Sequence, residues 1–223
     1  MTVTKRQQTT WAVIVAALVI LAAAAWFSVP GGQTGAAGGA EDTASPLQSL
    51  DDLGAVPDFT LVSQKGDTVR LRDLAGRVWI ADFIFTRCTS TCPMMTERML
   101  DLEEALGDVP RLRFVSISVD PVYDTPERLA EFAASYGADP ERWLFLTGEK
   151  AAIRSLSVDG FHLGMEEATV ADKAAGAESV MHSTRFTLVD GRGHIRGYYD
   201  GVSPDDMKKV QKDVRRLASS TRS

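Results

Sequence analysis

Apolar positions along the chain come in short runs separated by turn and cap residues, which is typical of a domain that mixes strands and helices. Five runs have the length and composition of buried strands, and they cover residues 78–85, 113–119, 143–146, 183–189 and 195–199. Two further runs, residues 59–62 and 68–71, flank a turn at Gly66 and predict a hairpin. The chain therefore supplies enough strands for one central sheet.

Apolar residues at helical spacing appear between and after these strands. The predicted helices begin at Pro93, Pro126, Glu149 and Pro204. The second of them has a cap, a proline and an acid in their preferred order at Thr125, Pro126 and Glu127, and Gly137 ends it. Residues 166–179 are rich in Ala, Gly and acids without periodicity, and they predict a mobile surface loop.

The order of these elements is a hairpin, a βαβ unit, an αβ unit, and then an antiparallel hairpin followed by a last helix. This order predicts an α/β, thioredoxin-like fold with an N-terminal β-hairpin, in which helices cover both faces of a central sheet. Reactive groups in open α/β sheets collect at strand-to-helix junctions. The first junction, directly after residue 85, is therefore where chemistry is expected.

An uncharged apolar run of nineteen residues, 11–29, precedes the domain. As a helix it would span about 28 Å, close to the thickness of the hydrocarbon core of a bilayer. Lys5 and Arg6 precede the run, so the positive-inside bias predicts a transmembrane anchor that leaves residues 1–10 in the cytoplasm and exports the rest. A cleaved signal peptide is the competing interpretation, because small alanines lie near the end of the run.

The Gly/Ala-rich residues 30–50 predict a flexible linker, and residues 51–219 the folded domain. The chain has a formal net charge of -6, and without Lys5 and Arg6 twenty-two basic residues remain against thirty acidic ones. An exported part with this acidic balance argues against a nucleic-acid partner.

The two cysteines of the chain, Cys88 and Cys92, lie at the first strand-to-helix junction. A helix N-terminus nearby stabilises a thiolate over a thiol. Residues four apart on a helical turn face the same way, so the two sulfurs can converge on one ion or close a disulfide. A purely structural disulfide is the simplest alternative in an oxidising compartment, although a bridge over so short a loop constrains the unfolded chain little.

A third candidate for this site is His182, just before the strand 183–189. In the thioredoxin-like plan, the loop that enters this strand lies beside the cysteine junction. Thiol-disulfide oxidoreductases usually carry a proline there, whereas this chain has His182-Ser183-Thr184. Two thiolates and one imidazole form a soft, low-coordinate set that suits Cu(I) and is tolerable for Cu(II), whereas zinc usually takes four ligands. The alternative for His182 is an ordinary loop histidine bonded to the backbone.

Other candidate side chains have simpler interpretations. His194 is predicted to be exposed in a turn, and His162 to be a half-buried structural side chain between apolar neighbours. Packing is also predicted for three methionines, although a thioether suits Cu(I): Met94, Met95 and Met181. Asp82 lies in a predicted buried strand and requires a partner nearby, because an unpaired buried carboxylate is costly.

Taken together, these motifs resemble the Sco/SenC family of membrane-anchored, thioredoxin-fold copper proteins, which serve assembly of the CuA centre in cytochrome c oxidase. The segments that carry the resemblance are Pro57-Asp58-Phe59-Thr60-Leu61, Phe85-Thr86-Arg87-Cys88 with Cys92-Pro93, Ser116-Ile117-Ser118-Val119-Asp120-Pro121 with Asp124-Thr125-Pro126-Glu127, and His182-Ser183 with Phe186-Thr187-Leu188-Val189-Asp190. The resemblance implies that Cys88, Cys92 and His182 are copper ligands. The chain departs from the family pattern at Thr89, where many members have proline, and at Met181, where many have an acid that would orient the imidazole.

The resemblance also implies a function: a copper chaperone, not an enzyme, that passes copper to the CuA-bearing subunit of cytochrome c oxidase or to another periplasmic copper protein. Its domain would stand on the periplasmic side of a bacterial inner membrane, and a Cys88–Cys92 disulfide would be its metal-free resting form. Two alternatives stay open. A thiol-disulfide reductase would use both cysteines without His182, and a peroxidase-like enzyme would use a cysteine near Arg87 and Thr86.

Overall fold

A computed structural model describes residues 50–167 and 180–220 of the 223-residue chain, and these residues belong to one compact unit. The predicted anchor 11–29, the residues before it and nearly all of the linker 30–50 lie outside the described residues. In the part of the chain that is described, no helix is long and apolar enough to cross a membrane. The structure therefore concerns the domain that follows the linker.

Nine strands in the described residues form a seven-stranded sheet and a separate two-stranded ribbon. In chain order they are β1 (Thr60–Ser63), β2 (Thr68–Arg70), β3 (Val78–Ile84), β4 (Leu112–Ser118), β5 (Trp143–Thr147), β6 (Met165–Glu167), β7 (Val180–His182), β8 (Arg185–Val189) and β9 (Ile195–Asp200). The sheet has the order β2-β1-β5-β4-β3-β8-β9, with a parallel centre and antiparallel flanks. It contains all seven predicted strands, which confirms an α/β domain around one central sheet.

The helices are α1 (Cys92–Ala105), α2 (Pro126–Tyr136), α3 (Lys150–Ser155) and α4 (Pro204–Ser220). Each begins within one residue of its predicted start. At the start of α2 the side chain of Thr125 accepts the N–H of Arg128 at 3.4 Å, and Gly137 ends the helix with a φ of 73°. Helix α1 packs against α2 and α4, and α2 packs against β5.

Strand β3 is buried at all seven of its positions, which is typical of a strand covered on both faces. It pairs with β4 along its full length on one edge and with β8 on the other. The rings of Trp79 and Phe83 also meet Phe161 edge-on, with ring centroids 5.9 and 5.4 Å apart. The strand that leads to the cysteines is therefore held on both edges and by its side chains.

The segment that precedes β1 also forms backbone hydrogen bonds with the sheet. The N–H of Leu53 donates to the carbonyl of Ile195 at 2.9 Å, and the N–H of Val56 donates to Gly193 at 2.8 Å. Residues 53–56 thus cover part of β9, the edge strand, whose exposed backbone groups would otherwise attract other chains.

The structure departs from the prediction between α3 and β8. Leu156–Gly160 continues α3 as a turn of π-helix, which the pattern did not indicate. Glu166 and Glu167, predicted to open a loop, complete β6 instead because their backbones pair with β7. Residues 168–179 of the predicted loop lie outside the described residues.

We expect Gly137→Ala to lower the free energy of unfolding by about 1 kcal/mol, because an L side chain is strained in the left-handed region. The glycine has a φ of +73° and an added Cβ would meet no atom within 4 Å, so the cost is conformational. Gly164→Ala is the matched control: its Cβ also meets nothing within 4 Å, and its φ lies outside that region. Urea denaturation, followed by the fluorescence of buried tryptophans, compares the two variants. Equal stabilities would contradict the capping role of Gly137.

Candidate metal centre

Cys88 and Cys92 lie at the predicted junction, between the end of β3 and the first turn of α1. Both residues are buried, with 6% and 1% of their surface exposed. The N–H of Cys92 donates to Sγ of Cys88 at 3.3 Å, and the hydroxyl of Ser90 lies 3.7 Å from the same sulfur. The two thiols are also close enough to share a hydrogen bond. The junction thus gathers two sulfurs in one buried site.

The sulfur of Cys88 takes over part of the capping of α1. The N–H groups of the first turn of a helix have no partners within the helix. Thr91 stands at the N-cap position and makes no side-chain cap hydrogen bond, whereas Cys88 accepts the N–H of Cys92. A helix N-terminus favours negative charge close to it. The start of α1 therefore both orients this sulfur and suits it as a metal ligand.

Burial raises the pKa of the Cys92 thiol far above its ordinary value of 9.0, and the hydrogen bond with Cys88 raises it further. The carboxyl group of Asp82, fully buried on β3, adds a smaller electrostatic effect in the same direction. A backbone hydrogen bond at Phe85 acts in the opposite direction and is outweighed. Cys92 therefore keeps its proton at neutral pH, and a soft metal ion has to displace that proton to bind.

Two side-chain contacts join the turn before Cys88 to the loop between β4 and α2. The backbone N–H and the hydroxyl of Thr86 both donate to the carboxyl group of Asp124, at 3.1 and 2.5 Å. The guanidinium group of Arg87 forms an ion pair with Asp120. In the structure, Thr86 and Arg87 thus connect two loops. Sequence reasoning included Asp124 only in a motif at a helix start and missed its contact with Thr86, although ligands in an α/β sheet bind outside the carboxyl ends of its strands.

The structure describes the backbone of His182, which ends β7, and not its side chain. Strand β8 follows and runs antiparallel to β3, so it begins at the end of β3 that leads to Cys88. The carbonyl of Thr184 accepts the N–H of Gly201 at 2.9 Å, and a Cβ at Gly201 would lie 3.5 Å from Met95 of α1. The chain two residues after His182 therefore packs beside the first turns of the cysteine helix.

Among the described side chains, no group of three or more His, Cys, Asp and Glu residues is arranged to hold a metal ion. The side chains of His182 and Met181 are outside that set. The structure thus brings the two cysteines together, and the set of Cys88, Cys92 and His182 stays a prediction.

Four of the simpler interpretations concern side chains that the structure describes, and three of them need correction. His162 is exposed, with a φ of 54°, so the prediction that it is half-buried is wrong: its apolar neighbours occupy the core instead. Met94 is 38% exposed and was wrongly predicted to pack, because it lies outside the buried stripe of α1, which includes Met95. His194 lies beside a turn as predicted, but it is half-buried rather than exposed, and its Nδ1 lies 2.9 Å from the carboxylate of Asp52.

The fold and this site define a class of protein: thioredoxin-like α/β domains with two thiols at the first strand-to-helix junction. Within that class the chain belongs to the SCO1/SenC family, whose family model matches residues 48–219. The resemblance of the sequence motifs to the Sco/SenC family is thereby confirmed.

Individual relatives agree with this assignment. The SCO1 protein homolog of Bacillus subtilis (strain 168) is 36% identical over 162 residues, which cover 72% of this chain and 81% of the relative. BsSco, whose structure is solved, is described as a member of the Sco family of cytochrome c oxidase assembly proteins with a disulfide switch. It is 35% identical to this chain with a TM-score of 0.65, and the match covers 77% of this chain and 98% of BsSco. ScoI of Bradyrhizobium japonicum, solved with copper bound, shares the fold at 22% identity and a TM-score of 0.62, over 74% of this chain and 99% of ScoI.

In the reduced, metal-free chain we expect the free energy of unfolding to fall as the pH rises above 9.0, the ordinary pKa of the thiol. The raised pKa of folded Cys92 stabilises the fold fully below that value. Above it the unfolded thiol loses its proton while the folded thiol keeps it, so stability falls by up to about 1.4 kcal/mol per pH unit. In Cys92→Ala, the free energy of unfolding from urea denaturation should fall less steeply with pH across the alkaline range. An equally steep profile for the variant would contradict the effect.

Proposed function

We propose that this chain is a copper chaperone rather than an enzyme. It binds one copper ion through the thiolates of Cys88 and Cys92 and the imidazole of His182, and it delivers the ion for assembly of the CuA centre of cytochrome c oxidase. The observation that carries the proposal is the pair of adjacent buried thiols, with the N–H of Cys92 at 3.3 Å from the sulfur of Cys88. The family relationship supports both the cargo and the recipient.

The chemistry of the donor set favours copper over other metal ions. Thiolates are soft ligands and select Cu(I), whereas imidazole is compatible with Cu(I) and Cu(II). A thiol that burial keeps protonated is a poor nucleophile at neutral pH. The raised pKa of Cys92 therefore disfavours spontaneous thiolate chemistry, while an ion that binds sulfur strongly can still displace the proton.

Delivery requires that a partner reach the bound ion while the chaperone still holds it. Three ligands leave a copper ion open to a further thiol or imidazole. Thr89 and Ser90, between the two cysteines, are exposed, whereas the cysteines beside them are buried. The loop that carries these two residues is therefore the side from which a partner approaches, and copper passes by exchange of one ligand at a time.

In the absence of copper, the two thiols can close a disulfide as their resting form, giving up two electrons and two protons to an oxidant of the compartment. The hydrogen-bonded contact between Cys92 and Cys88 places the sulfurs within reach of such a bond after a small movement. Bound copper would protect the dithiol from this oxidation. The disulfide switch described for BsSco supports the same behaviour here.

The placement of the domain follows from the segments before it. We assign residues 11–29 as a single-pass anchor in the inner membrane of a bacterium and residues 30–50 as the tether of the domain 51–219 on the periplasmic side. Lys5 and Arg6, on the cytoplasmic side of the apolar run, support this orientation. The partner is then the CuA-bearing subunit of the oxidase or another periplasmic copper protein.

Anaerobic titration of the reduced full-length chain, purified in mild detergent, should give one bound copper ion per chain. We expect copper binding to weaken by roughly 100-fold or more in Cys88→Ser, Cys92→Ser and His182→Ala, because each variant lacks one ligand. Even the loss of a residue that only orients a ligand lowers metal affinity by about 10–100-fold. Metal content and Cu(II)–thiolate absorption are the measurements.

The matched controls for His182→Ala are His162→Ala and His194→Ala, which remove an exposed and a half-buried imidazole elsewhere on the domain. Both should bind copper like the wild type. If His182→Ala also did so, the imidazole ligand would be rejected. If the wild-type chain bound no copper, the whole proposal would fail.

A thiol-disulfide reductase is the second candidate, because the two adjacent sulfurs suit a redox dithiol as well as a chelate. It has no use for His182. We therefore expect His182→Ala to lose copper binding while its dithiol still exchanges with a substrate disulfide at the wild-type rate. A wild-type chain that reduced an acceptor's copper-ligand disulfide rapidly and bound no copper would favour the reductase.

A further inference from the structure

The carboxyl group of Asp124 is fully buried in the loop between β4 and α2, residues 119–125. It accepts hydrogen bonds from the N–H of Thr86 at 3.1 Å, the hydroxyl of Thr86 at 2.5 Å and the hydroxyl of Ser118 at 2.5 Å. A buried carboxyl group is costly unless such donors surround it. Two of the three donors belong to the turn that leads to Cys88, so the contact crosses from one loop to another.

A second contact joins the same two loops at the next residue. Arg87 pairs with Asp120, and its guanidinium carbon lies 4.2 Å from the centre of the ring of Tyr123. The side chain of Arg87 is 46% exposed, however, and exposed ion pairs contribute little. The buried hydrogen bonds to Asp124 are therefore the stronger connection.

The position of Cys88 depends on Thr86 through the backbone. The N–H of Cys88 donates to the carbonyl of Phe85 at 3.2 Å, which closes a turn that contains Thr86. Asp124 holds both the backbone and the side chain of Thr86, so it fixes this turn from outside. The sulfur of Cys88, at the end of the turn, then meets the N–H of Cys92 at 3.3 Å.

We infer that Asp124 is a positioning residue for the metal centre: through Thr86, its carboxyl group holds the sulfur of Cys88 in the place where copper is bound. The part of this inference that concerns copper rests on the proposed function, whereas the position of the Cys88 thiol can be tested without metal. Asp124 acts through another residue and is not itself assigned as a ligand.

The test compares Asp124→Asn with a matched control, Asp213→Asn, in the reduced, metal-free full-length chain. Asp213 is also a buried carboxyl group, 4% exposed, and accepts the hydroxyl of Tyr199 at 2.8 Å on another part of the domain. Alkylation of Cys88 by iodoacetamide, followed by peptide mass spectrometry, reports how often the buried thiol opens to solvent. We expect about tenfold faster alkylation in Asp124→Asn, from the loss of hydrogen bonds to a carboxyl group, and the wild-type rate in Asp213→Asn.

Copper provides the second readout. Asp124→Asn should bind copper roughly tenfold more weakly than Asp213→Asn, as is typical when a group that orients a ligand is lost. The Cu(II)–thiolate absorption band should also shift in Asp124→Asn alone. A general loss of stability would not by itself shift the absorption band of the copper that remains bound.

Two changes at Thr86 keep the test decisive if Asp124→Asn does not fold. Thr86→Ser retains the hydroxyl and should behave as the wild type, whereas Thr86→Val loses one hydrogen bond and should speed alkylation of Cys88. Equal alkylation rates in Asp124→Asn and Asp213→Asn, or in the two Thr86 variants, would overturn the inference. Faster alkylation in a chain whose wild type binds no copper would reject the proposed function and leave the positioning of the thiol standing.

Discussion

The burial of β3 is the constraint on which the site depends. All seven residues of this strand lie in the core, between β4 on one edge and β8 on the other. The strand cannot slide without exposing apolar side chains, so the point at which it ends is set. Cys88 follows that end by four residues, and the two neighbouring strands bring the Asp124 loop and the backbone of His182 to the same end of the sheet.

The packing that holds the thiols also limits what they do. Burial disfavours the thiolate at Cys92, and a helix N-terminus and an external carboxyl group hold the turn around Cys88. Such a site reacts slowly by itself and responds to an ion that competes for sulfur. These properties are the basis on which we propose a copper site rather than a reductant.

Most elements could be predicted because their signals are local. Period-two and apolar runs indicated all seven strands of the large sheet, and cap residues such as Thr125 and Gly137 gave the ends of α2. The errors concern burial. From their apolar surroundings in sequence, Met94 was predicted to pack and His162 to be half-buried, but whether a single side chain faces inward depends on which neighbouring element covers it.

The sequence by itself determined that two cysteines four residues apart lie on a strand-to-helix turn, because strand periodicity, Pro93 and helical spacing act within a few residues. Only the tertiary structure decided that Asp124, thirty-eight residues from Thr86, supports that turn. It alone also raises the pKa of the Cys92 thiol above its ordinary value, through burial and the contact with Cys88. Both properties arise from groups that meet only when distant strands pack side by side. A local pattern of residues cannot predict which groups these are.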